Sequence, residues 1–220
     1  MFSYTMLGQT LTRVNQVRDL GVTLDSALSF RPHYNEIIAK ANRQLGFIFK
    51  VASDFHDPLC LRSLFYSLVR SVLETNSVVW CPFNANWIAR IESVQRKFVR
   101  YALRFLPWRD PQQLPAYSDR CQLLGMETLQ QRRFDTQAVF VFKILTGEID
   151  APKILQQLNL YAPERSLRRR NFLSLPHRTA SYGQHDPVRF MSASFNVVAD
   201  SFDFNISVTT FKQILRRRQV

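Results

Sequence analysis

Arg90, Arg96, Lys97, Arg100 and Arg104 recur at intervals that place them on one half-turn of a helix, opposite an apolar stripe of Ile91, Val94, Phe98, Ala102 and Phe105. Cations held in such a row suit one chemistry above others, contact with successive phosphates, because each neutralised phosphate releases condensed counterions. Every amphipathic helix has a solvated face, but such faces ordinarily mix signs, and Glu92 is the only acid between Asn84 and Pro107. Phosphate contact is therefore favoured over plain solvation. Lys40, Arg43 and Lys50 lie opposite the apolar stripe of an earlier helix pattern and are candidates for the same role. Two basic runs add to them: "RSLRRR", which carries Arg168, Arg169 and Arg170, and "RRR" at Arg216–Arg218. Each run can be a nuclear-localisation patch, a nucleic-acid contact or nothing specific. Over all 220 residues, 29 Lys and Arg stand against 17 Asp and Glu, a formal charge of +12 that suits a polyanionic partner, ahead of simple solubility and of an anionic membrane surface.

Catalytic patterns are missing. Metal-dependent phosphoryl transfer needs clustered carboxylates, and here the acids are dispersed, with no adjacent Asp-Asp pair and no HExxH. There is no GxGxxG, P-loop or GxSxG. His33, His56, His177 and His185 are scattered, and Asp19 and Asp25 read as turn and cap residues beside a strand. Cys60, Cys81 and Cys121 show no zinc or disulfide spacing and read as reduced thiols. No catalytic residue and no metal site is expected in this chain.

The elements that must position the cations are mostly helical. Residues 1–25 read as β, with Gly8 in a hairpin turn and "DLGVTLD" as a further strand of the same small sheet. A first helix opens at Pro32 and runs to about Val51, burying Tyr34, Ile37, Ile38, Ala41, Leu45, Ile48 and Phe49. A second starts with Asp57 as its cap, carries the stripe Leu61, Leu64, Phe65, Leu68 and Val72, and ends at Cys81-Pro82. The third spans about Asn86 to Leu106 and stops at Pro107. "PWRDPQQLP" reads as a joint, and a fourth helix runs from about Glu127 to Leu145 with Gly147 beyond it. Residues 163–205 read as an extended, loosely folded tail, followed by a short helix over "TTFKQILRRR".

A composition 46% hydrophobic excludes a wholly disordered chain, no apolar run reaches the ~18 residues of a membrane span, and no signal pattern opens the sequence. An intracellular protein, nuclear or cytoplasmic, is expected.

Three blocks in order, "VRDLGVTLDSALSFRPHYNEIIAKANRQLGFI", "DPLCLRSLFYSLVRSVLETNSVVWCP" and "IARIESVQRKFVRYAL", resemble the C-terminal part of reverse transcriptases from non-LTR retrotransposons, especially the jockey-like group. "LLGMETLQQRR" and "RTASYGQHDPVRFMSASFN" are similar, more loosely, to the region that follows in the same elements. The resemblance implies a palm-edge β remnant over 1–28 and a thumb-like helical bundle over 29–107. A further helical segment over 108–162 and a basic, partly irregular tail over 163–220 would follow. It also implies that the family's catalytic Asp-Asp motif and endonuclease lie upstream, so that Mg²⁺ is expected only for a full-length polymerase. The chain itself would be a truncated RNA-directed DNA polymerase, inactive alone, that keeps the capacity to bind RNA, an RNA–DNA hybrid or a DNA duplex. A host-adopted nucleic-acid-binding module and a non-catalytic protein-interaction domain remain the alternatives.

Overall fold

The computed structural model describes residues 4–52, 57–106, 115–161, 171–175, 186–199, 203 and 205–218. The chain is mainly α, with two small antiparallel hairpins at its start. β1 (Thr5–Met6) pairs with β2 (Gln9–Thr10), and β3 (Gln16–Asp19) pairs with β4 (Val22–Asp25) in the register Gln16↔Asp25 to Asp19↔Val22. This corrects the expected single sheet. "DLGVTLD" is not one strand, because Leu20 (φ 44°) and Gly21 (φ 85°) form its turn. A two-residue hairpin loop of this hand needs positive φ at both positions, which Gly21 adopts freely and Leu20 adopts at a cost of about 1 kcal/mol. The Leu20 carbonyl is held there by the Asn76 side-chain amide, which donates to it at 2.8 Å. Asp25, the last residue of β4, closes the turn that follows with its carboxylate. It accepts from the Ser29 hydroxyl and the Phe30 amide, immediately ahead of the first helix.

Helix α1 (Arg31–Val51) carries Pro32 in its first turn, where a missing N–H costs nothing, and buries Tyr34, Ile37, Ala41, Leu45 and Ile48. α2 (Pro58–Leu64) is capped by Asp57, whose carboxylate accepts from the amides of Leu59 and Cys60. A π-helical segment (Phe65–Arg70) follows, then α3 (Ser71–Glu74). The wider π turn moves the inward stripe to Leu61, Phe65, Val69 and Leu73, each four residues apart. Leu64, Leu68 and Val72, expected on that stripe from a 3.6-residue period, are only partly buried. The expected single helix to Cys81 is also interrupted, since Asn76 sits at φ 56° and a separate α4 (Ser77–Trp80) begins after it. Asparagine tolerates that left-handed geometry better than most residues.

α5 (Ala85–Ala102) starts at Asn84, whose side chain accepts from the Asn86 amide, and continues as a 3₁₀ turn (Leu103–Phe105). It packs on α1, and its Phe98 ring stacks on Phe65 with centroids 4.3 Å apart. α6 (Tyr117–Leu123) and the first residue of α7 (Leu129–Leu145) complete this first core.

The remainder of α7 builds a second core. The expectation of a loose tail beyond 163 is corrected for its described part. α9 (Pro187–Val198), capped by Asp186, lies along α7, and α10 (Val208–Arg217) packs against the same helix. Met191, Phe195 and Val198 meet Val141, Phe142, Phe211 and Leu215, with Phe142 stacked on Phe211 at 4.3 Å. These apolar positions bury together only once α7 offers them a surface. A short α8 (Pro152–Leu155) follows α7 in the chain, and its Ile154 packs against this second core. No described helix is long and apolar enough to cross a membrane.

Phe98 is fully buried between α5 and the π segment, so Phe98→Ala is expected to cost about 3–5 kcal/mol in chemical denaturation. A loss near zero would mean that α5 does not present this face to the core.

Candidate nucleic-acid interface

The inner face of α5 is the key to its outer one. Glu92, the single acid of the helix, is 4% exposed. Its carboxylate accepts from the Tyr117 hydroxyl at 2.6 Å and from the backbone amides of Leu129 and Gln130 at 3.0 and 3.2 Å. Those amides belong to the first turn of α7, where N–H groups have no intrahelical partner and a negative charge is favourable. The Arg133 guanidinium, buried one turn further along α7, lies 3.9 Å from the same carboxylate. Burial, and next to it the Glu92 charge, pushes the Tyr117 hydroxyl well above the usual phenol range, so it stays a donor to Glu92. Gln95, the next buried polar residue of α5, donates to the Glu127 carbonyl at 2.8 Å.

With Glu92 turned inward, the outer face of α5 keeps only cations. Arg90, Arg96, Lys97 and Arg100 of α5, and Arg104 of the 3₁₀ turn that continues it, are all exposed, as the sequence pattern requires. Several are oriented by neighbours rather than neutralised. Arg90 lies 4.3 Å over the Trp87 ring and donates to the Asn35 side chain at 3.0 Å. Lys97 donates to Asn42 at 2.9 Å, and Arg96 lies 4.9 Å over the Tyr117 ring. Amide and ring partners leave the charge in place while limiting the side chain's freedom, which reduces the entropy lost on binding an anion. Among the described residues none of the five is in an ion pair.

Other cations are spent inside the fold. Arg132 of α7 grips both carboxylate oxygens of Glu74 and reaches Glu127 at 3.3 Å. Arg70 lies over the Tyr66 ring at 3.4 Å and pairs with Glu74 at 3.8 Å.

The expected residues of α1 do not all join the α5 row. Asn35 and Asn42 form the flank of α1 that meets Arg90 and Lys97, whereas Lys40 and Arg43 line a cavity on the flank facing β3, β4 and α3. Lys50 is exposed in the last turn of α1. Arg168, Arg169 and Arg170 lie outside the described residues. Arg216 and Arg217 close α10, and Arg218 donates to the Val197 carbonyl at 2.6 Å. Sequence reasoning missed Arg18 and His33, which line the same cavity as Lys40 and Arg43. Among the described residues no group of three or more His, Cys, Asp or Glu side chains is placed to hold a metal ion. No protein-family model, curated protein or solved structure matches the chain.

Glu92→Ala would leave two helix amides and the Tyr117 hydroxyl without their acceptor, and the buried Arg133 guanidinium without its nearby countercharge. The expected loss is about 3–5 kcal/mol of stability, against at most about 0.5 kcal/mol for exposed Arg100→Ala, both measured by urea unfolding. Equal, small losses for the two variants would contradict this arrangement.

Proposed function

We propose that the chain binds the sugar–phosphate backbone of a nucleic-acid duplex along the outer face of α5. The observation that carries this reading is the row Arg90, Arg96, Lys97, Arg100 and Arg104 on a helix whose only acid is buried. Such a row reads charge and helical spacing but no base edges, so binding depends on duplex geometry and salt and hardly on sequence. The resemblance to non-LTR retrotransposon reverse transcriptases supplies the context. In that setting the duplex is the template–primer hybrid, the helices act as a thumb, and chemistry belongs to an upstream palm that holds Mg²⁺. The chain on its own binds and does not polymerise.

The direct test replaces Arg96, Lys97, Arg100 and Arg104 together by Gln in the full chain, which removes four charges and keeps helix propensity. Affinity for an RNA–DNA hybrid is expected to fall by similar factors for unrelated sequences, and the log–log salt slope to flatten by up to about 3.6. Arg168→Gln, Arg169→Gln and Arg170→Gln, made together, form the comparison. If only this second variant loses binding while the α5 variant binds as well as wild type, the interface lies in the basic run and the assignment to α5 is wrong.

A further inference from the structure

A cavity of about 650 Å³ opens between the β3–β4 hairpin, α1 and α3. Arg18 comes to it from β3, and Lys40 and Arg43 from successive turns of α1. Among the described residues these three cations make no ion pair and donate no hydrogen bond. Glu36 also lines the cavity, and its carboxylate already accepts from the Thr23 hydroxyl at 2.7 Å.

His33 provides the second, independent sign of a ligand. It lines the same cavity and is 2% exposed. Its Nδ1 accepts from the Thr23 amide at 3.3 Å, which places the ring proton on Nε2. That Nε2 is buried and has no hydrogen-bond partner. Burial holds the imidazole below its ordinary pKa and outweighs the Glu36 charge, so near neutral pH the ring is an uncharged N–H donor. A buried donor left without an acceptor is costly, and one beside three unpaired cations calls for an anion.

We propose that this cavity binds a phosphomonoester group, held by Arg18, Lys40 and Arg43 with the His33 Nε2–H as its buried donor. Three cations and one carboxylate leave a local charge of +2, which matches the roughly dianionic charge of a phosphomonoester at neutral pH and exceeds that of a single phosphodiester. The volume falls within the range of small-molecule sites and leaves room for the sugar or base attached to the phosphate. The group can arrive as the end of a nucleic-acid strand or on a free mononucleotide. The site does not rest on the duplex reading, with which it shares only a preference for phosphate.

Calorimetric titration with inorganic phosphate tests the site without any nucleic acid, so failure of the α5 interface leaves the result untouched. Wild type is expected to bind one phosphate saturably, and Lys40→Gln with Arg43→Gln to weaken it by about tenfold or more. Lys153→Gln with Lys212→Gln removes the same charge from exposed positions on α8 and α10 and is expected to change nothing. Oligonucleotides with a 5′-phosphate and with a 5′-hydroxyl then separate the sources. A preference of about tenfold for the phosphorylated end identifies a strand terminus, and equal binding with phosphate affinity intact identifies a mononucleotide. Absence of saturable phosphate binding, or equal weakening by the two charge-removing pairs, overturns the site.

Discussion

A carboxylate withdrawn from water has to find its donors within the protein, and Glu92 finds them on two other helices at once. Tyr117 holds it from α6, and the amides of Leu129 and Gln130, with Arg133 nearby, hold it from α7. Three elements are fixed relative to one another by a single side chain. Because α7 belongs to both cores, the position set by Glu92 at its first turn also carries through to Phe142 and the helices α9 and α10 stacked on it. The arrangement is directional as well as strong, since hydrogen bonds to a charged acceptor are short and angle-dependent whereas apolar burial alone would tolerate rotation of α5.

The same constraint shapes the surface. Rotating α5 so that Glu92 points inward leaves Arg90, Arg96, Lys97, Arg100 and Arg104 without an acid on their own helix. Two acids of other helices and loops, Glu74 and Glu127, are engaged by Arg132. The cationic row is thus a consequence of how the interior is satisfied, and its orientation by Trp87, Tyr117, Asn35 and Asn42 follows from the packing of α1 and α6 on α5. Core packing and the proposed phosphate contacts share one helix, on opposite faces.

Much of this was legible in the residues. α1, α5 and α7 announce themselves by periodic apolar positions and by punctuation at Pro32, Asn84 and Gly147, and the cationic row of α5 follows from its spacing alone. What escaped depended on tertiary context. Leu20 hides a turn because its side chain disfavours positive φ, and the Asn76 contact that helps hold it comes from a distant part of the chain. Val69 and Leu73 lie inward because a π segment breaks the 3.6-residue template. α9 reads weakly because Ser192 and Ser194 are buried among its apolar residues. No local pattern in the sequence distinguishes Glu92 from an ordinary solvated acid. The grouping of Arg18 and His33 with Lys40 and Arg43 exists only after the β3–β4 hairpin docks on α1.

Amide hydrogen exchange at Leu129 and Gln130 tests the carboxylate clamp most directly. First-turn amides of a helix normally lack partners and exchange within the fast, fraying part of the spectrum. The clamp predicts that these two exchange as slowly as the amides in the middle of α7, through global unfolding. Exchange at the rate of a frayed helix end, with the middle of α7 still protected, would show that Glu92 does not hold α7 and would remove the basis for the orientation of α5.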